Sequence, residues 1–438
     1  MKSLSRVLKL AIPFCLTSMI VFFTCNEEPT KPPVGPPSIS KSTIKLEVQF
    51  EDFTEVLLKV TVSDTSKSKY VTIHRDGKLV HFESFLSKDT VITDAGLESN
   101  TTYSYQASLI ENGRAIDSSV ASAKTREYGS QSWRFEIDTL GEHLSGITEV
   151  IAFSKTEAWA TGFFYIYSAP NKRATYFLAR WNGQSWSLYQ LFDKDSIPQS
   201  GNSIYGITST AMWLMATYIY RFDGVNFVEI PFTPTRIAGI ADQMFATRSD
   251  EVYFVGSNGG IARWDGKQIK MITSPTSINL EDIYGDEGTI YIAGTSFDFA
   301  SSVEMKLENG VITKLRETTS AAFQTSSIWL KKKDSVIAYA GNGNKIIHLG
   351  DTIKLSYVHP YCLKVRGTGI HNIWFAGHLL ELQHYDGRSW KTFPEITFNF
   401  RDGMFKSLEV GEDYLFAAGW VILNDGSWRG IVVRGYRK

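Results

Sequence analysis

The sequence predicts an all-β chain, a small seven-stranded sandwich followed by a seven-bladed β-propeller closed by the strand that precedes its first blade. Three observations predict it. The 438 residues are rich in aromatics (13%, with 11 Trp and 20 Tyr) and in Gly (34), and hold only 3 Cys. Between residues 44 and 125, apolar and polar residues alternate with period two, the signature of half-buried strands. From residue 128 onward a unit of roughly 40 residues recurs, and a unit of that length with four short strands is a propeller blade. The same composition excludes a disulfide framework and a Cys-rich zinc module. Lys and Arg total 45 against 46 Asp and Glu, a formal charge of −1. That balance lacks the basic surface of electrostatic nucleic-acid binding, so no nucleic-acid partner is expected.

The first element is an address. Lys2, Arg6 and Lys9 precede an apolar run from Leu10 to Phe23, the layout of a secretory signal. The run is shorter than the roughly 20 apolar residues of a membrane span. It ends at Thr24-Cys25, followed by Asn26-Glu27-Glu28 and a Pro-rich stretch from Pro29 to Pro37. This resembles a bacterial lipoprotein signal, with Phe22 and Thr24 where that family prefers Leu, Val or Ile and a small residue. The resemblance implies a signal peptide over 1–24, acylation of Cys25, and a Pro-rich tether over 25–37 that stays extended. Glu27-Glu28 is similar to the acidic export signal of surface-exposed lipoproteins in the Bacteroidota. The implied location is the cell envelope, at the outer membrane or cell surface, with the membrane as partner through the N-terminal lipid. Cleavage there removes Cys15 and leaves Cys362 without an intrachain partner, despite an oxidising compartment.

Residues 38–126 form the second element. Ile44, Leu46, Val48 and Phe50 alternate with polar residues, as do Val56, Leu58, Val60 and Val62. A strand from Tyr70 to Arg75 turns at Asp76-Gly77 and pairs back from Lys78 to Glu83. Further strands are expected at Val91–Thr93 and Ser118–Thr125. Leu97 followed by Thr102, Tyr103 and Tyr105 resembles the fibronectin type III motif, an immunoglobulin-like sandwich. The resemblance implies a tyrosine corner at Tyr103, although the family's core Trp is replaced by Val60 or Val62. Such modules are mostly spacers or protein-interaction units. His74 and His81 flank the hairpin as ordinary strand residues.

Residues 128–438 carry the repeat. One anchor is an aromatic, Asp or Asn, Gly, two residues, then a Trp or apolar residue. It stands at Trp181-Asn182-Gly183 with Trp186, Phe222-Asp223-Gly224 with Phe227, Trp264-Asp265-Gly266 with Ile269, and Tyr385-Asp386-Gly387 with Trp390. The Asn/Asp-Gly pair predicts a tight hairpin with positive φ at both central positions. The second anchor is an apolar strand ending in Gly or Ala. It occurs at Ala158–Gly162, Met212–Ala216, Val252–Gly256, Ile290–Gly294, Ile337–Gly341, Ile373–Gly377 and Leu415–Gly419, which sets the blade number at seven. The last unit lacks a fourth strand, while Gly129-Ser130-Gln131-Ser132-Trp133 copies Gly183-Gln184-Ser185-Trp186. Residues 131–138 are therefore expected to supply that strand and remove both open sheet edges. The unit resembles the Trp-rich propellers of secreted bacterial proteins and lacks the signatures of WD, kelch and Asp-box repeats.

Residues that recur at the same place in several blades are structural candidates first. Arg180, Arg221, Arg263, Arg434 and His384 precede the turn, and stacking on an aromatic explains them. His359, His371, His378, His384 and Cys362 cluster in the sixth unit without zinc spacing, so no metal ligand is assigned. Gly341-Asn342-Gly343-Asn344-Lys345 lacks the following helix that a phosphate loop needs. No catalytic residue and no cofactor are assigned. What departs from the repeat marks the candidate ligand face: Phe163, Phe164, Tyr165 and Tyr167 in a long loop of the first blade, Phe297, Asp298 and Phe299 in the fourth, and Arg401 and Trp420 near the seventh. Aromatics beside carboxylates and Arg suit a carbohydrate or protein ligand. The expected function is a lipid-anchored, non-enzymatic binding protein of the cell envelope. The alternatives are a propeller enzyme acting on glycans, a hydrolase or lyase, and a scaffold for envelope complexes. A polar cluster around the axis favours the enzyme, and a bland axis with an aromatic rim favours the binder.

Overall fold

The computed structural model describes residues 42–437, apart from 52–54, 65–68, 86–87, 126–132, 170–171, 194, 231–241, 299, 320–323, 342–343, 350–351, 357–360 and 398–399. The signal-like segment, Cys25, the Pro-rich stretch, Phe299 and His359 lie outside the described residues. No α-helix occurs among the described residues. The chain divides into two compact units, 1–96 with 102–124, and 97–101 with 125–438.

In the first unit, β1 (Ile44–Glu51), β2 (Glu55–Val62) and β5 (Asp89–Ala95) form one antiparallel sheet in the order β1-β2-β5. β3 (Lys69–Arg75), β4 (Lys78–Phe85), β6 (Thr102–Glu111) and β7 (Arg114–Lys124) form another, in the order β4-β3-β6-β7. The alternation read from the sequence buries Val56, Leu58, Val60 and Val62 on β2 and Val71 and Ile73 on β3. Tyr105, not Tyr103, is the fully buried tyrosine. Its hydroxyl donates to Asp94 (2.8 Å), whose carboxylate also takes two hydrogen bonds from Arg75, each 2.8 Å. Tyr103 is half-buried, with the Arg75 guanidinium 5.5 Å from its ring centre.

The second unit is a series of four-stranded antiparallel sheets consistent with propeller blades. Seven occur among the described residues. Sheets 1 to 6 take their strands in chain order, beginning with Gly146–Ser154, Ser203–Thr208, Gln243–Arg248, Leu280–Asp286, Ser327–Lys331 and Cys362–Gly369. Sheet 7 consists of Asp402–Val410, Tyr414–Ile422, Trp428–Arg437 and, as its fourth strand, Trp133–Leu140. Trp133–Leu140 runs antiparallel to Trp428–Arg437 from Trp133 opposite Arg437 to Leu140 opposite Gly430. Arg434 clasps this pairing. Its guanidinium donates to both Asp138 carboxylate oxygens (2.6 and 3.1 Å) and lies 3.9 Å from the Trp181 ring centre in sheet 1. The Trp186 indole N–H, also in sheet 1, donates to Asp138 at 3.0 Å.

Each apolar anchor lies on the second strand of a sheet, and in five of the seven the terminal Gly has a steric cause. A Cβ on Gly341 would stand 1.7 Å from the Gln324 carbonyl oxygen, and one on Gly419 1.8 Å from that of Met404. In sheets 4, 6 and 7 the first strand bulges beside this Gly, between Leu280 and Asp282, Cys362 and Lys364, and Phe405 and Ser407. An inserted residue bends a strand and re-aims the side chains that follow.

The turn chemistry differs from expectation. At Gly183, Gly224, Gly266 and Gly387 φ is +91°, +102°, +89° and +90°, while Asn182, Asp223, Asp265 and Asp386 are not left-handed. The loops hold four residues between the paired positions, as between Trp181 and Trp186. The Asp265 carboxylate accepts from the amides of Lys267 (3.1 Å) and Gln268 (3.0 Å), so the side chain mimics a turn residue. These hydrogen bonds, with that from Lys270, hold its carboxyl down at about 2. The two-residue turn with both φ positive occurs instead at Asp76-Gly77, Asn112-Gly113, Glu287-Gly288 and Asn309-Gly310.

The repeated Arg residues do stack across strands. Arg180 pairs opposite Trp159, Arg221 opposite Trp213 and Arg263 opposite Tyr253, with guanidinium-to-ring distances of 5.2, 5.8 and 5.8 Å. His384 takes the same place opposite Trp374, stacked at 4.3 Å. Burial, with Arg437 and Lys391 nearby, keeps His384 well below the ordinary imidazole range.

Candidate functional site

The residue opposite the one before each terminal Gly or Ala defines an equivalent position on every first strand. In chain order these are Glu149, Ser203, Gln243, Asp282, Ser327, Lys364 and Ser407. All seven are polar. Four accept a backbone N–H from the first strand of a neighbouring sheet. Ile204 donates to Glu149 (2.9 Å), Ile328 to Asp282 (3.1 Å), Val365 to Ser327 (3.1 Å), and Val150 to Ser407 (3.1 Å). Lys364 carries no acceptor, and it reaches across instead to Asp282 (3.0 Å) and Gln243 (3.3 Å).

Two residues further along, on the same side of each strand, stand Ile151, Tyr205, Phe245, Tyr284, Trp329, Arg366 and Glu409. Four of them form an aromatic arc, Tyr205 to Phe245 (5.4 Å between ring centres), Phe245 to Tyr284 (5.6 Å) and Tyr284 to Trp329 (6.5 Å). Arg366 follows, its guanidinium 5.3 Å from the Tyr284 ring centre, and then Glu409. Between these strands lies a cavity of ≈ 280 Å³ whose lining includes Glu149, Tyr205, Tyr284, Arg366, Glu409 and Tyr414.

The charges in this cluster are not equivalent. Asp282 is fully buried and accepts from both terminal nitrogens of Arg366 (2.9 and 2.8 Å), from Lys364, from the Ser327 hydroxyl and from the Ile328 amide. Burial opposes its charge, but Arg366 and Lys364 outweigh it and hold the carboxyl well below the usual range. The same contact keeps Arg366 above its ordinary value. Glu149 and Glu409 line the cavity, and among the described residues neither has a cation in contact. Burial pushes Glu149 up, against the pull of Lys364 and the hydrogen bond from the Ile204 amide. Burial pushes Glu409 up to about 7, with Arg366 pulling down and Glu149 pushing further up. Burial likewise raises Tyr205 and lifts Tyr284 to about 12. A carboxyl near 7 can hold a cation, or give and take a proton at neutral pH.

The residues nominated from sequence do not form one site. The residues from Phe163 to Ala169 are strand and not loop, as are Lys172 and Arg173; they belong to the paired strands Glu157–Ala169 and Lys172–Trp181. Phe164 is fully buried in a hydrophobic cluster with Val150, Trp181 and Phe416. Phe163 is exposed on the strand Glu157–Ala169, opposite Gly146, and meets Phe177 edge-on at 5.9 Å. Tyr165 lies under the Arg173 guanidinium (4.3 Å), and the Tyr167 amide donates to Glu142 (2.8 Å). Trp420 is half-buried and stacks flat on Trp428 at 4.8 Å. Arg401 is exposed just before the first strand of sheet 7, its amide donating to the Ile422 carbonyl (2.9 Å). In sheet 4, Phe297 is 91% exposed, and Asp298 is engaged locally by Ser296 (2.6 Å) and the Ala300 amide (3.1 Å).

Cys362 is fully buried, its thiol donates to the Ala376 carbonyl (3.4 Å), and burial pushes it up to about 12. Among the described residues no three His, Cys, Asp or Glu converge to hold a metal ion. Comparison with protein-family models and with curated proteins finds no match for this chain.

Proposed function

We propose that the chain is an envelope lipoprotein, anchored through Cys25, in which a fibronectin type III-like sandwich spaces a closed seven-bladed propeller from the membrane. The propeller binds a carbohydrate or protein ligand in the cavity on its axis. Support for the sandwich comes from the two sheet orders, three strands β1-β2-β5 against four β4-β3-β6-β7. Support for closure comes from the pairing of Trp133–Leu140 with Trp428–Arg437 and from the Val150 amide donating to Ser407. The observation that carries the binding reading is the cavity of ≈ 280 Å³ lined by Glu149, Tyr205, Tyr284, Arg366 and Glu409. Ligand pockets start at about 300 Å³ and pair apolar or aromatic walls with a few polar groups. A space of this size takes one sugar ring or one amino-acid side chain.

A charged axis also favours the second reading, a glycan-active enzyme, because two carboxylates face one cavity. Binding is the better fit. Glu149 is already held by the Ile204 amide as part of the strand-to-strand belt, which leaves Glu409 as the carboxylate facing the cavity without a neighbouring strand's amide on it. A glycan and peptide array probed with the full chain, with Glu409→Gln, and with a Phe163→Ala/Trp420→Ala variant separates the possibilities. Binding lost in Glu409→Gln and kept in the rim variant supports the axial site. The reverse pattern moves the site to the rim loops, and turnover of a bound glycan that Glu409→Gln abolishes makes the protein an enzyme.

A further inference from the structure

We propose that the axial cavity takes an organic ammonium group, an amino sugar or the end of a lysine side chain, held by the Glu409 carboxylate against the rings of Tyr205 and Tyr284. This rests on the reading of that cavity as the ligand site. Three observations carry it. First, the cavity wall presents two carboxylates, Glu149 and Glu409, and one guanidinium, Arg366. Second, Arg366 is committed elsewhere. Its terminal nitrogens donate to both oxygens of Asp282 and to the carbonyls of Ile328 (3.3 Å) and Val365 (2.7 Å). A phosphate, sulfate or carboxylate ligand would therefore have to compete with a fully buried aspartate for these nitrogens. Third, the wall beside Glu409 is aromatic. Tyr205 and Tyr284 line the cavity, and ring faces attract an ammonium group once it leaves water.

The charges around it agree in sign. Lys364 and Arg366 both stand on Asp282, and burial disfavours the charged form of the remaining carboxyls, Glu149, Glu409 and, beside Asp282, Glu281. An entering cation favours those charged forms. The groups that act electrostatically on Glu409 are Glu149 and Arg366, and Glu409 in turn makes the Tyr205, Tyr284 and Tyr414 hydroxyls less acidic. Because Glu409 titrates near neutrality, an ammonium ligand drives a proton off it, and affinity falls as pH drops below about 7.

The test is calorimetric titration of the full chain with two matched pairs, glucosamine against N-acetylglucosamine, and Nα-acetyl-lysine methylamide against its Nε-acetylated form. The expected result is that the free amine of at least one pair binds about tenfold or more tighter than its acetylated twin, and that Glu409→Gln removes this preference. Which pair binds distinguishes a glycan from a peptide source. A measurement on the wild-type chain alone guards against a misfolded variant: titrations at pH 7 in buffers of different ionisation enthalpy should show proton release. Equal binding of acetylated and free forms overturns the ammonium assignment while leaving the cavity as the ligand site. Binding of no probe overturns it too, and the array then decides the site reading. Displacement of the amine by calcium or magnesium at equal concentration would make the cavity a metal site instead.

Discussion

Asp138 is the residue whose loss should be felt furthest from its own strand. It receives the Arg434 guanidinium on both oxygens and the Trp186 indole N–H. It thus ties the strand Trp133–Leu140 to the C-terminal strand and to sheet 1. Asp138→Ala leaves Arg434, with a side chain 8% exposed, facing Glu136 at 3.0 Å and little else that is charged. Breaking a buried ion pair by removing one partner costs about 3–5 kcal/mol, and the remaining Glu136 contact argues for the lower end, about 3 kcal/mol. A unit of about 300 residues has an unfolding entropy of about 0.6 kcal/mol per kelvin, so the melting midpoint should fall by about 5 °C. All 11 Trp lie at residue 133 or beyond, so Trp fluorescence follows this unit and not the sandwich. Glu136→Ala, at a partner that is 61% exposed, should shift the midpoint by only about 1 °C. Asp138→Ala/Arg434→Met should recover most of the loss, because an apolar pair replaces a broken ionic one. An Asp138→Ala melt within about 1 °C of wild type, on the same scale, would refute the reasoning that this strand locks the unit.

Two further predictions concern the cavity and the strand anchors. Glu409 has its carboxyl raised from an ordinary 4.5 to about 7, so folding binds a proton that the unfolded chain releases. Its contribution is intact below about 4.5, declines as pH rises to 7, and above 7 amounts to a penalty of roughly 3 kcal/mol. Glu409→Gln should therefore match wild type near pH 5 and melt higher at pH 8.5; equal midpoints at both pH values would contradict it. Gly419→Ala places a Cβ 1.8 Å from the Met404 carbonyl oxygen, whereas Gly426→Ala meets open space but must hold φ at +81°. The first should cost about 3 kcal/mol by overpacking and the second about 1 kcal/mol by backbone strain, and equal losses in a fluorescence melt would remove the steric account of the repeat.

Much of the architecture was legible because the repeat is punctuated by residues with little freedom. The Gly that ends five of the seven apolar anchors (Gly162, Gly294, Gly341, Gly377 and Gly419) is forced by a neighbouring carbonyl oxygen, and the Asn or Asp of the turn by two amides that need an acceptor. Such constraints fix a residue type, so they appear in the sequence as a period. The turn type was misread because Asp-Gly also serves a four-residue loop whose Asp side chain takes the place of a second positive φ. The cavity was not legible for the opposite reason. Its belt positions are occupied by Glu, Ser, Gln, Asp, Ser, Lys and Ser, which share a place and a polarity but no identity. A signal was present in three of the seven, a polar residue opening the first strand, as Ser203, Gln243 and Ser327 do. Phe164 was misplaced because the hairpin of sheet 1 extends past its Gly162, and a bulge between Thr161 and Phe164 turns that ring into the core.

The central claim is that the ligand sits among the first strands and not on the rim. A crystal structure of the full chain soaked with glucosamine at pH 8 tests it most directly. The account predicts density for the sugar in the cavity, its nitrogen within hydrogen-bond distance of the Glu409 carboxylate and beside the Tyr205 and Tyr284 rings. Sugar density against Phe163, Trp420 and Trp428, with the cavity holding solvent alone, would contradict it.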